Sequence, residues 1–185
     1  MHVSEPPLAQ RRYFVSIGSN INPRTNIPLI LGELLRGVPQ LHISRIVETE
    51  AVDMLDNSQP FFNLTAAFES ERDSAEIKAW FVAIETRLGR DRTDPLRKMQ
   101  GRPADIDVEF FLTQENPQVA FESLPPEPHI RPMLIELLAF LNIAQFDDGA
   151  FPIGVSLNLH NRPIGLSAMT LKQIVSDSHD PQTVG

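Results

Sequence analysis

Asp105 and Asp107 are the residues of this chain whose types and spacing could most directly do chemistry. They stand two apart in a segment, Asp105 to Leu112, that reads as a strand. Both carboxylates then face one side while Ile106 and Val108 face the core. At about 3.3 Å per residue their Cα atoms lie roughly 6–7 Å apart, close enough to converge on one hard cation or to bridge two. Magnesium takes oxygen ligands of this kind, commonly one or two carboxylates plus phosphate oxygens and water. An ordinary strand with acidic residues in solvent would show the same pattern, and Asp is not rare at strand starts. The neighbourhood argues for a ligand. Arg87, Arg90, Arg92, Arg97, Lys98 and Arg102 place six of the chain's 16 basic residues in one short stretch. Guanidinium groups beside a cation site suit transfer along a phosphate chain, because they clamp the non-reacting phosphates and stabilise charge as a bond breaks. A solvated basic loop would explain the charge, but not its position directly before an Asp-x-Asp strand.

Several elements must position these groups. Arg12 to Ser19 alternates, with Tyr13, Val15 and Ile17 on one side, and runs into the turn Gly18-Ser19-Asn20. A helix follows, with Asn26 as its cap, Pro28 in its first turn and one stripe of Ile27, Ile30, Leu31, Leu34 and Leu35. Gly37 and then Pro39 end it. A second strand reaches from Leu41 to about Thr49, Ala51 to Pro60 is a loop, and Phe61 to Phe68 is a third strand. The next helix opens on a capping box, Asp73 to Glu76, buries Ile77, Trp80, Phe81, Ile84 and Leu88, and closes at Gly89. The basic loop and the Asp105 strand complete a β-α-β-β-α-β order. It predicts an α+β fold: a ferredoxin-like antiparallel sheet with helices on one face, plus C-terminal additions. Those additions read as a third helix over Met133 to Leu141, one short hairpin within Phe151 to Ile164, and a final helical turn at Leu171 to Val175. Residues 1–11 and 177–185 read as flexible tails around one domain over 12–176.

Bulk properties narrow the function classes. The 42% hydrophobic and 22% charged residues exclude wholesale disorder. With no cysteine there is no disulfide, thiolate zinc site or Cys nucleophile. A net charge of −8 argues against nucleic-acid binding by bulk electrostatics. No apolar stretch approaches the roughly 20 residues that span a bilayer, and the polar opening MHVSEPPLAQRR is unlike a signal peptide. The expectation is a cytoplasmic protein acting on small molecules, with no nucleic-acid or membrane partner. There is no GxxxxGK[ST] or GxGxxG loop, and the histidines at 2, 42, 129, 160 and 179 lack metal-ligand spacing. Asn63, inside a strand among apolar neighbours, could hydrogen-bond a flat heterocycle or simply satisfy backbone groups.

These pieces together resemble the 6-hydroxymethyl-7,8-dihydropterin pyrophosphokinase family. The resemblance rests on Gly18-Ser19-Asn20, Glu48-Thr49-Glu50, Phe61-Phe62-Asn63, Ile84-Glu85 with Leu88-Gly89-Arg90, and Arg102-Pro103-Ala104-Asp105-Ile106-Asp107-Val108, in that order. It implies transfer of the β,γ-pyrophosphoryl group of ATP to the pterin's hydroxymethyl oxygen, releasing AMP. It also implies that Asp105 and Asp107 hold two magnesium ions and that Arg90 and Arg102 contact the phosphates catalytically. Arg92, His129 and Val108 would lie on the nucleotide side. Thr49, Glu50, Ala51, Val52, Phe61 and Asn63 would contact the pterin. The loops 51–60 and 91–101 would close over both substrates. The chain departs from the family at Glu50-Ala51-Val52-Asp53, which lacks the usual Pro and Gly. It also departs after His129, where Arg131 could replace an arginine from a longer segment. A divergent paralogue that binds magnesium-ATP or a pterin-like ligand without turnover is therefore the alternative.

Overall fold

The rest of the molecule is built around β1 (Arg11–Ser19). A computed structural model describes residues 10–50, 59–93, 101–147 and 149–173. β1 lies inside the sheet rather than at its edge, and buried cores cover both of its faces. Tyr13, Val15 and Ile17 pack into one core, while Phe14 packs into a second core on the opposite face. The fold is α+β. A six-stranded sheet runs in the order β5-β1-β4-β2-β8, with β3 also pairing β4, and every pairing is antiparallel. The strands are β2 (Gln40–Ile43), β3 (Val47–Thr49), β4 (Phe61–Ser70), β5 (Asp105–Leu112) and β8 (Met169–Lys172). A separate hairpin joins β6 (Leu157–Leu159) to β7 (Arg162–Ile164) through His160 and Asn161, both at positive φ as a two-residue turn demands.

Helix α1 (Pro23–Gly37) buries the stripe Ile27, Ile30, Leu31, Leu34 and Leu35, as its spacing predicts. It starts a turn earlier than expected. Asn22 is the N-cap, in the left-handed region at φ 42°, and Pro23 stands in the first turn, where its missing N–H costs nothing. Asn26 is inside the helix and donates its side-chain amide to the Ile21 carbonyl at 2.6 Å, and Pro28 is an interior proline. Helix α2 (Ser74–Arg87) has the expected capping box: Asp73 accepts from the Ala75 and Glu76 amides while Glu76 accepts from the Asp73 amide. It closes in a Schellman pattern, with Gly89 N–H bonded to Thr86 O and Arg90 N–H to Glu85 O. Gly89 sits at φ +92°, which favours glycine.

Helices α1 and α2 share the Tyr13 side, as expected for the two helices of the β-α-β-β-α-β unit, while the added third helix, α3 (Arg131–Phe140), packs through Leu134, Ile135, Leu137 and Leu138 on the Phe14 side. Two expectations are corrected. The second strand is broken into β2 and β3. At the break, Ser44 Oγ accepts the Thr65 amide in place of a ladder carbonyl, and Ile46 exchanges its backbone bonds with Gly165 and Val155 rather than with β4. The stretch from Leu171 is not helical. Leu171 and Lys172 belong to β8, which pairs with β2 (Leu41↔Leu171, His42↔Thr170), and residues 174–185 lie outside the described residues.

Arg45, at the break, is tied to α3. Its guanidinium bonds both carboxylate oxygens of Glu136 at 3.0 Å, and it donates to the Pro152 carbonyl at 2.6 Å. Glu136 also accepts the Ala168 amide at 3.1 Å, so one ion pair joins α3, the broken strand and the C-terminal segment.

His42 Nδ1 lies 2.8 Å from Thr170 Oγ1 across the β2–β8 pairing. Burial lowers the His42 pKa, aided by Arg12 and opposed by Glu69. A lowered imidazole pKa contributes stability that is complete above the unfolded value and drains away as pH falls through the range between the two. The urea midpoint is therefore expected to drop between about pH 7 and pH 5, and the drop to shrink in His42→Gln. An equal drop in both proteins would contradict this.

Candidate active site

Three neighbouring strands place the chemistry. Across β5, β1 and β4, Asp105 pairs with Gly18 and Gly18 with Asn63, so Asp105 and Asn63 stand on either side of one glycine. With strands about 4.8 Å apart, their backbones are separated by roughly 10 Å, room for a phosphate chain to meet a small ring. A Cβ at Gly18 would lie 2.9 Å from Asn63 Oδ1, so a larger residue there would push the Asn63 side chain from its place across the strand. Asp107 pairs with Ser16 on the same face. A bulge in β5 then skips Glu109, so that Phe110 pairs with Phe14 and the two rings stack at 4.6 Å under α3.

The face carries a cleft of about 390 Å³, lined among others by Thr49, Glu50, Phe61, Asn63, Arg102, Asp105, Asp107 and His129. Asn63 donates its side-chain amide to Thr49 Oγ1 at 2.7 Å, which fixes it with its carbonyl oxygen over Gly18. The Gly18-Ser19-Asn20 turn pins Arg102: the Asn20 amide donates to the Arg102 carbonyl at 3.0 Å, and Asn20 Oδ1 accepts the Arg102 amide at 2.6 Å. Thus the first motif in the chain holds the arginine of the last.

Glu85, fully buried in α2, organises the arginines. Its Oε1 accepts from Arg90 Nη1 and from the Ile106 amide, both at 2.8 Å, and its Oε2 accepts from Arg92 Nε at 2.9 Å. Arg90 also donates to the Ala104 carbonyl at 3.0 Å and pairs with Asp105 Oδ1, while Arg102 pairs with Asp105 Oδ2. Asp105 and Asp107 offer hard oxygens on one side of a strand. Among the described residues there is no cluster of three or more His, Cys, Asp or Glu side chains that could hold a metal unaided. A cation bound to this pair would complete its shell with phosphate oxygens and water, as magnesium does.

The family model of 7,8-dihydro-6-hydroxymethylpterin-pyrophosphokinase matches residues 14–142, well over half of the chain. The chain belongs to this family. Comparison with curated proteins gives no match. Membership in the pyrophosphokinase family implies pyrophosphate transfer from ATP to hydroxymethyldihydropterin in folate synthesis, with ATP as co-substrate. Among the described residues no helix is long and apolar enough to cross a membrane.

The matched stretch contains both sides of the cleft, and β6, β7 and β8 lie beyond it. Of the pyrophosphokinase positions expected from sequence, Arg90 reaches the cleft through Asp105, and Arg92 lies behind it on Glu85. Val108 packs its side chain against the α1–α2 core, so only its main chain is available to a nucleotide. Ala51 and Val52 lie outside the described residues, as does most of the loop 91–101. Arg131 does not reach the cleft: its guanidinium lies 4.3 Å from the centre of the Phe121 ring and donates to the Phe121 carbonyl at 2.9 Å.

Glu127 and Glu109 escaped the sequence reading. Glu127 lines the cleft beside His129, and a carboxylate next to a Pro-His pair was its only signal. Glu109 has its pKa raised, first by burial and then by the charges of Asp107 and Glu127, against a hydrogen bond with Ser16 that lowers it. Nothing in the alternation of β5 announces the bulge that places it there.

Proposed function

We propose that this protein catalyses magnesium-dependent transfer of the β,γ-pyrophosphoryl group of ATP to 6-hydroxymethyl-7,8-dihydropterin. The observation that carries this is the division of one sheet face. Asp105, Asp107 and Arg102 stand on one side of Gly18, and Asn63, Thr49 and Phe61 on the other, around a single cleft. Asp105 and Asp107 would hold two magnesium ions. Bound there, magnesium supplies charge neutralisation across the phosphate chain. Arg90 and Arg102 would clamp the phosphates through planar, bidentate donors, with Arg92 assisting and His129 and the Val108 main chain toward the nucleotide. Asn63 would read the pterin's donor edge through its carbonyl oxygen, with Thr49 and Glu50 beside it and Phe61 against the ring. The pterin hydroxymethyl oxygen would attack the β-phosphorus. The bond from that phosphorus to the α,β-bridging oxygen would break, AMP would leave, and the hydroxyl proton would pass to solvent. If β2 and β3 are counted as one interrupted strand, the order β5-β1-β4-β2 supports a ferredoxin-like reading of the sheet.

Incubation with magnesium, ATP and the pterin is expected to release AMP, with no AMP when the pterin is omitted. The binding-only alternative is favoured by the turn of Arg131 away from the cleft. It would show as ATP binding by folded protein without AMP release. Asn63→Leu is expected to raise the KM for the pterin about 10–100-fold while leaving that for ATP within about threefold, because it removes the acceptor but no phosphate contact. Equal effects on both substrates would remove Asn63 from the pterin side.

A further inference from the structure

We infer that Arg90 and Arg102 hold Asp105 shut against a bare divalent cation, and that nucleotide phosphates open it by drawing the two guanidiniums away. This rests on the pyrophosphokinase reading of the cleft. Both Asp105 oxygens are occupied, Oδ1 by Arg90 and Oδ2 by Arg102. All three side chains are largely shielded, with relative exposures of 16%, 13% and 25% for Asp105, Arg90 and Arg102, so the pairs are only partly screened by solvent. Asp107 differs. It is exposed, and among the described residues no ion pair engages it.

A dication approaching this pair alone meets one open carboxylate and one whose oxygens already accept from two cations. A phosphate chain changes the balance, because guanidinium forks match phosphate oxygens as well as they match a carboxylate. Arg90 can make that move over a short distance, since Glu85 and the Ala104 carbonyl still hold it when Asp105 is released. Cation and nucleotide then favour each other's binding beyond their direct contact, and by linkage the effect is reciprocal. The consequence is a pair of effects with opposite signs. Removing an arginine weakens nucleotide binding, yet strengthens binding of the cation alone. Direct chelation of the cation by phosphate, without a shut Asp105, predicts the first effect and not the second.

The test is binding of Mn²⁺ followed by its electron paramagnetic resonance signal, without nucleotide and then with α,β-methylene-ATP. It uses the wild type, Arg102→Ala, Arg102→Gln, Arg90→Ala, Asp105→Ala and Asp107→Ala, each checked for folding by circular dichroism. Arg102→Ala and Arg102→Gln are expected to bind Mn²⁺ alone about tenfold more tightly than the wild type, within the range typical of coupled sites, and to bind the analogue more weakly. Arg90→Ala is expected to do the same to a smaller degree. Unchanged or weaker binding of Mn²⁺ alone in the arginine variants would overturn the inference. If Asp105→Ala still weakened the Mn²⁺-analogue complex, the functional reading would survive. If neither aspartate variant altered Mn²⁺ or analogue binding, both the cleft assignment and the inference would fall.

Discussion

Asp107→Ala remains folded and loses pterin-dependent AMP formation by about a thousandfold, the upper end of what removing one electrostatic stabiliser costs. The fold survives because Asp107 is exposed and contributes only its main chain to the pairing with Ser16. The activity does not, because Asp105, even after the phosphates have drawn Arg90 and Arg102 away, is left as a single carboxylate to hold the dications. The loss should appear with an intact circular dichroism spectrum and a nucleotide affinity that no longer responds to magnesium. Turnover within about tenfold of the wild type would place the cation elsewhere.

Glu85→Ala lowers unfolding stability by about 3 kcal/mol, the lower end of the range for breaking a buried ion pair, because Arg90 keeps Asp105 as a partner. Three donors lose their acceptor at once: Arg90, Arg92 and the Ile106 amide. Arg92 is more than a third exposed and recovers water, so it contributes little to the loss. The Ile106 amide cannot recover in this way, since it lies buried between the two aspartates. Glu85→Gln keeps one acceptor oxygen and should restore part of the loss. Urea unfolding measures both variants. A change below about 1 kcal/mol for the alanine variant would show that Glu85 does not hold this corner together.

Local chemistry made much of this legible. The α1 stripe, the Asp73–Glu76 capping box, the Gly89 closure and the facing of β5 depend on residues within a few positions of one another. What escaped depends on distant partners. The break between β2 and β3 follows from Ile46 bonding to Gly165 and Val155, which no pattern near Ile46 encodes. The placement of α3 follows from Phe14 and Ala67, which look like ordinary alternating strand residues until both faces of the sheet are seen to be covered. The α1 start differs from the expected one because Asn22 caps from a left-handed conformation, without a side-chain bond, whereas Asn26, the expected cap, lies inside the helix. Within the candidate site, Asp105, Asp107 and Arg102 stand out by spacing and type, whereas Asn63 takes a ligand-reading role only through the family resemblance. The occupation of Asp105 by two arginines could not be read in this way, since it needs the end of α2, the 102–104 segment and β5 brought together.

The most direct test of the central claim is the identity of the group transferred. Phosphorus-31 nuclear magnetic resonance of protein with magnesium, ATP and 6-hydroxymethyl-7,8-dihydropterin should show AMP and a pterin diphosphate accumulating in equal amounts. Neither should form without the pterin. ADP with a pterin monophosphate, or no pterin product from folded protein that binds ATP, would contradict pyrophosphoryl transfer by this cleft.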